Sequence, residues 1–218
     1  MKHGDNVHGV TRSKRAAAKR PSKPNARGAM SRENILNRAA WHFAEYGFRG
    51  SSAAAIAHEA DMSEPGLLHH FGSKVGLLMA LLEMRYSLDE SKLEAEKDLD
   101  GLQLLPLLVH LVRENVTKKD SVRLSMVMLA ESLSTSHPSH KFYKRRYTRA
   151  REIVTKHLAR AQQLGFIRKE IDCPALATTM LAVMDGLQLQ WLLDPKIDMA
   201  ECFERFVVVL EPALAKPR

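Results

Sequence analysis

The run Ser63-Glu64-Pro65-Gly66-Leu67-Leu68-His69-His70-Phe71 combines side chains able to meet a nucleobase edge with a backbone that permits close approach. Leu67 and Phe71 lie four residues apart and share one face of a helix, which leaves Glu64, Pro65, Leu68 and His69 on the other. A glutamate accepts from a cytosine amino group, a proline touches a thymine methyl, and Gly66 removes the side chain that would hold the backbone away. His69 and His70 are adjacent, and consecutive helical residues point about 100° apart, so the pair does not suit a shared metal ion. Neither a nucleophile with its base, nor paired carboxylates, nor a metal-ligand cluster stands at a telling spacing. The sequence therefore argues against an enzyme and calls for no cofactor.

Such a helix reads bases only if other elements hold it still. From Ser31 a helical period places Ile35, Leu36, Ala39, Ala40 and Phe43 on one face, with Ser31 as N-cap and Gly47 as stop, predicting a helix over 32–46. Ser51 or Ser52 caps a short second helix through Ala53, Ile56 and Ala57 to Glu59. Ala60-Asp61-Met62 follows as a tight turn, in which Asp61 tolerates the left-handed conformation better than most residues. Ser63 caps the third helix, Gly72-Ser73 ends it, and a long helix runs from Lys74 through Leu77, Leu78, Leu81, Leu82 and Met84 to about Lys97. Two short helices joined by a three-residue turn and backed by a longer one make a helix-turn-helix, whose second helix lies in the major groove of DNA.

The chain of 218 residues is 45% hydrophobic and 27% charged, enough to bury a sizeable core. Its 33 Lys and Arg against 25 Asp and Glu give a formal charge of +8, which suits an anionic partner. Nearly all of that excess sits in residues 1–30, where eight basic residues face Asp5 alone. This segment lacks hydrophobic periodicity and reads as a flexible basic arm, or otherwise as a solubilising tail. Residues 31–78 carry four basic and five acidic groups, a net of −1, so the arm is expected to supply most of the long-range attraction to DNA. Cys173 and Cys202 have no finger spacing, no apolar run reaches membrane length, and no secretory signal is evident, so a cytoplasmic protein without membrane contact is expected.

Beyond the long helix, four or five more are expected, with no convincing strand. Their apolar faces include Leu104, Leu107, Leu108 and Leu111, then Val122, Met126, Leu129 and Leu133, then Ile153, Val154, His157 and Leu158. Met180, Met184, Leu187 and Trp191 mark the next, and Phe203, Phe206, Val207 and Leu210 the last. The fold class is all-α: an arm over 1–30, a three-helix helix-turn-helix domain over 31–78 and a larger helical domain over 79–218. His137-Pro138-Ser139-His140 reads as a loop with a helix cap, and Lys141, Lys144, Arg145, Arg146, Arg149 and Arg151 as a solvated basic face, or otherwise as a site for an acidic or acyl-thioester effector, although no phosphate-binding glycine loop accompanies them.

The ordered set Arg32, Ile35-Leu36, Ala39-Ala40, Phe43 to Phe48, Ser51-Ser52, Ile56-Ala57, Ala60 to Ser63, Leu67 to Lys74 and Leu77-Leu78 resembles the DNA-binding domain of the TetR family of bacterial transcriptional regulators. It covers about a quarter of the chain. The resemblance implies phosphate contacts from Ser51, Ser52, His70 and Lys74 and base or groove contacts along Ser63, Glu64, Pro65, Gly66, Leu68 and His69. Leu68 departs from a common Tyr, and Pro65 and Asp61 from common glycines, which alters contacts without undermining the fold.

The same resemblance implies a homodimer joined by its last two helices, to which Met180, Met184, Leu187, Trp191, Phe203, Phe206, Val207 and Leu210 would contribute, or which these residues would instead leave as plain core. It also implies an effector of unknown identity bound among residues 100–165, with Leu104, Leu108, Leu111, Met126, Leu129 and Leu133 lining an apolar pocket. The implied function is a repressor released from a palindromic operator in double-stranded DNA by a small molecule. An activator of the same family and a sequence-tolerant architectural protein stand as alternatives.

Overall fold

The computed structural model describes the backbone of residues 26–95 and 103–215 and the side chains of 32–86 and 103–215. Among the described residues there are nine helices: α1 (Ala26–Gly50), α2 (Ala53–Glu59), α3 (Glu64–Phe71), α4 (Lys74–Ala95), α5 (Leu104–Val116), α6 (Lys119–Glu131), α7 (His140–Gln163), α8 (Cys173–Leu193) and α9 (Met199–Leu214). The only β-pairing among them is an isolated bridge between Ile167 and Ala215. The fold is all-α, a helix-turn-helix followed by a helical domain.

Helix α1 begins at Ala26, upstream of the expected cap at Ser31, which therefore lies inside the helix. Ala26, Arg27, Ala29 and Met30 are good helix formers, so nothing local stops the helix at Ser31. The expected arm thus divides: residues 26–30 are helical and residues 1–25 lie outside the described residues. The regular part of α1 breaks at Gly47, with φ 68° and ψ 178°. A side chain there would be strained by the positive φ, and its Cβ would collide with the Glu131 carboxylate of α6.

Two apolar cores follow from these helices. One lies under α5–α9 and includes Leu104, Leu108, Val112, Leu158, Met180 and Phe203. The other lies under the helix-turn-helix and includes Ile35, Phe43, Ile56, Leu67, Leu77 and Leu81. The second core is not confined to the first four helices, because Leu124 and Met128 of α6 and Tyr143 of α7 complete it. Helix α1 packs against α6 more extensively than any other two described elements pack together. The Arg123 guanidinium meets the Glu45 carboxylate at 2.8 Å across this contact. Beside it, Glu131 accepts from the Phe48 amide at 2.9 Å, satisfying a donor exposed by the break at Gly47.

Candidate functional site

Each end of α3 is fixed by local chemistry. Ser63 is its N-cap and accepts from the Gly66 amide at 3.2 Å, while Pro65 occupies the first turn, where a missing amide donor costs nothing. Gly72, at φ 74°, closes the C-terminus by donating to the Leu68 carbonyl at 2.7 Å. The turn before α3 uses Asp61 at φ 53°, the left-handed conformation expected for it. Ser52 caps α2 by accepting from the Ala55 amide at 3.0 Å. Leu67 is fully buried and Phe71 half-buried, so Ser63, Glu64, Pro65, His69 and His70 are left exposed on the outer side of α3. Leu68 and Gly66 are half-buried, with Gly66 close to the Met62 methyl and the Ser63 hydroxyl.

Two of the expected phosphate contacts are placed differently. Ser51 is 2% exposed and donates to the Gly47 carbonyl at 2.7 Å, so its hydroxyl closes the end of α1 rather than facing solvent. Lys74 is half-buried, and its ammonium donates to the Phe48 carbonyl at 2.9 Å and to the Ser51 carbonyl at 2.8 Å. It also stands 4.4 Å from the centroid of the Phe48 ring. An ammonium has three protons, and two are committed to the α1–α2 connection. Ser52 and His70 remain exposed. Arg32, whose guanidinium lies 5.0 Å from the Phe71 ring, braces the far end of α3.

A cavity of about 90 Å³ lies among α4, α5, α6, α7 and α8. Leu108, Leu111, Met126 and Leu129 line it. Leu104 does not, being fully buried in the core, and Leu133 is 79% exposed, because α6 ends at Glu131 and turns its next residues outward. Polar residues that sequence reading did not single out as lining also reach the cavity: Arg85 and Tyr86 from α4, Asn115 from α5, Tyr143, Arg146 and Tyr147 from α7, and Asp185 and Gln188 from α8. The inward face of α7 repeats at 143, 147, 150 and 154, a helical period in the sequence that the basic run 141–151 obscures. Arg146 thus departs from the solvated face expected for that run.

Hydrogen bonds organise this lining. Tyr143 donates to the Ser125 carbonyl at 3.1 Å and lies 3.3 Å from the Tyr86 hydroxyl. Tyr147 donates to the Asp185 carboxylate at 2.5 Å. Burial pushes both tyrosine hydroxyls well above their ordinary range and raises the Asp185 carboxyl, with Tyr147 and Arg146 partly offsetting the rise at Asp185. Burial likewise pushes His137 below the usual histidine range, against the opposing pull of Glu131 3.2 Å away. Among the described residues no three His, Cys, Asp or Glu side chains gather as a metal site, and no helix is long and apolar enough to cross a membrane.

On α8 and α9 the structure redistributes the residues expected at a dimer contact. Met180, Trp191, Phe203 and Val207 are buried within the protomer, and Met184, Leu187, Phe206 and Leu210 are half-buried against the same core. The large apolar side chains these helices expose are Leu189, Leu193, Val208 and Val209, the last 76% exposed. Gly186 on the same pair of helices has open space where a Cβ would stand.

Two family models match the chain. Bacterial regulatory proteins of the tetR family match residues 35–81, and the C-terminal domain of BetI-type transcriptional repressors matches residues 105–208, together well over half of the chain. The HTH-type transcriptional regulator TtgR of Pseudomonas putida is 26% identical over 199 residues, covering 85% of this chain and 95% of TtgR. Among solved structures, SmeT, the repressor of a multidrug efflux pump in Stenotrophomonas maltophilia, aligns in its triclosan complex with a TM-score of 0.75 at 20% identity, over 86% of this chain and 92% of SmeT. A regulator from Saccharomonospora viridis in complex with choline aligns with a TM-score of 0.71 at 22% identity, over 87% of this chain and all of that one.

Proposed function

Because the chain belongs to the TetR family and is a DNA-binding transcriptional regulator, we propose that it is a homodimeric repressor of a palindromic operator, released when a small molecule occupies the cavity among α4–α8. The observation that carries this reading is the outer side of α3. It presents Glu64, Pro65, His69 and His70 from a helix capped at both ends and anchored by buried Leu67. In the reading, that side enters the major groove, while the exposed Ser52 and His70 meet phosphates. The division into a basic N-terminal segment over 1–30, whose last five residues begin α1, a reading domain over 31–78 and a regulatory domain over 79–218 follows the same roles. The basic residues 1–30 supply the counterion release that a reading domain of net −1 lacks.

The exposed Leu189, Leu193, Val208 and Val209 form the dimer face in this reading, and two-fold symmetry then requires a two-fold operator. Release runs through the helices shared by cavity and reading head. Helix α4 contributes Leu77, Leu78 and Leu81 to the core beneath α3 and Arg85 and Tyr86 to the cavity. Helix α6 does the same with Leu124 and Met128 on one side and Ser125, Met126 and Leu129 on the other. A ligand that favours one spacing of these helices changes the separation of the two α3 helices in a dimer.

The test is selection of random and genomic duplexes by the purified protein at fixed salt, followed by titration of the enriched sequence. A single two-fold-symmetric motif bound about 10³-fold or more tighter than bulk DNA is the expected result. Tight binding without a motif would mark an architectural DNA coater instead. His69→Ala then shifts base preference within the motif by about 1–3 kcal/mol at one position.

A further inference from the structure

The cavity lining carries two guanidiniums, those of Arg85 and Arg146, against one carboxylate, that of Asp185. Arg146 of α7 has its guanidinium carbon 4.0 Å from the centroid of the Tyr86 ring and 5.6 Å from that of Tyr147. Its Nε is buried and has no hydrogen-bond partner. The carboxylate in the same lining, Asp185, takes the Tyr147 hydroxyl at 2.5 Å, and among the described residues Arg146 forms no ion pair. A guanidinium stays charged at any pH a protein tolerates, and a buried donor without an acceptor is unfavourable until one arrives.

The aromatic faces decide the sign of the ligand. A box of tyrosines is ordinarily suited to a quaternary ammonium, because ring faces attract cations. Here two guanidiniums already lie by the Tyr86 ring, Arg146 at 4.0 Å and Arg85 at 5.5 Å from its centroid, and a further cation beside them would meet like-charge repulsion. The remaining lining, with Leu108, Leu111, Met126 and Leu129, offers apolar contact. A cavity of about 90 Å³ admits a body of one ring when the flexible Met126 and Met184 shift, since a dry cavity of roughly 150 Å³ holds benzene without adjustment.

We infer that the effector is a small organic anion, a single-ring body carrying a carboxylate that pairs with Arg146. The inference rests on the reading of this cavity as the effector site. Three probes of nearly equal shape test it by calorimetry near neutral pH: phenylacetate, 2-phenylethanol and 2-phenylethylammonium. Phenylacetate binds tightest, by about tenfold or more over the alcohol, and the ammonium binds weakest. Arg146→Met sharply reduces the preference of anion over alcohol, leaving only what Arg85 in the same lining supplies. Arg146→Lys keeps the order at reduced contrast, because a point charge replaces a planar fork, and it serves if the Met variant does not fold. Tighter binding of the ammonium, an unchanged anion preference in Arg146→Met, or no binding of any probe overturns the inference. Fluorescence anisotropy of labelled operator on the same samples separates the two claims. Phenylacetate that binds but leaves the DNA complex intact overturns the effector reading and upholds the pairing with Arg146. A preference for the ammonium overturns the pairing whatever happens to the DNA.

Discussion

The helix-turn-helix and the cavity beneath it use polar side chains in opposite ways. In the first, Ser51, Ser52, Ser63 and Lys74 all bond the protein's own backbone, closing the connections on either side of α2 and α3. In the second, Arg146 keeps a buried nitrogen without a partner, and Asp185 is held by one tyrosine. A surface that acts by shape needs its caps and connections settled, so that its outward residues keep fixed positions, even though the buried His42 Nδ1 of α1 there also has no hydrogen-bond partner. If the cavity binds an effector as proposed, an open interaction there is available to the ligand. The difference also separates the effects expected from substitution, which are losses of stability in the first region and changes of affinity or charge balance in the second.

The largest stability effect is expected at the anchor of α3. Leu67→Ala removes a fully buried side chain and should cost about 2–5 kcal/mol in denaturant unfolding. A loss below about 1 kcal/mol would mean that α3 is not held by its inner face. Lys74→Met breaks the comparison more directly. It leaves two half-buried carbonyls unpaired and should destabilise by about 1–3 kcal/mol, with little change in the salt dependence of DNA binding. A fall of about 0.9 in the slope of log affinity against log salt would instead make Lys74 a phosphate contact. Ser63→Ala should remove about 1 kcal/mol, and Ser63→Asp, which also caps, should restore most of it.

The smallest effect belongs to the cavity. Burial raises the Asp185 carboxyl, so the folded protein holds that proton more tightly than the unfolded chain does. Stability from this group is therefore greatest in acid and falls as pH rises from the ordinary carboxylate range through the raised value. Asp185→Asn escapes that loss while still accepting from Tyr147. Its melting temperature should exceed wild type near neutral pH, with the gap closing as pH approaches about 4. A gap that widens in acid would show that Asp185 is stabilising in its charged form.

Much of the reading head was legible in the sequence because its rules are local. Caps at Ser52 and Ser63, the left-handed Asp61 and the inward pair Leu67 and Phe71 each depend on neighbours within four residues. Lys74 was not legible in the same way, since its partners lie 23 and 26 residues upstream and come close only in the fold. The start of α1 was misplaced because a good capping residue at Ser31 does not stop a helix that its upstream neighbours continue. On α8 and α9, hydrophobicity marked apolar faces but not which of them point inward: Met180 and Phe203 are buried within the protomer, while Leu193 and Val209 are exposed. For the cavity, pattern found Leu108, Leu111, Met126 and Leu129 but misplaced Leu104 and Leu133, and it did not show that Arg146 turns inward, because that turn hides within a run of basic residues.

The break at Gly47, filled from α6 by Glu131, bears on how such proteins can be recombined. An exchange of reading heads that cuts the chain after α4 would bring a foreign α1 against this α6. Unless the newcomer also carries glycine at the break and an acidic residue at the position of Glu45, the Glu131 carboxylate meets a side chain and Arg123 loses its mate. The transplantable unit is therefore discontinuous in the chain. It consists of α1–α4 together with α6, so new DNA specificity is acquired more readily by changing residues on the outer side of α3 than by shuffling whole domains.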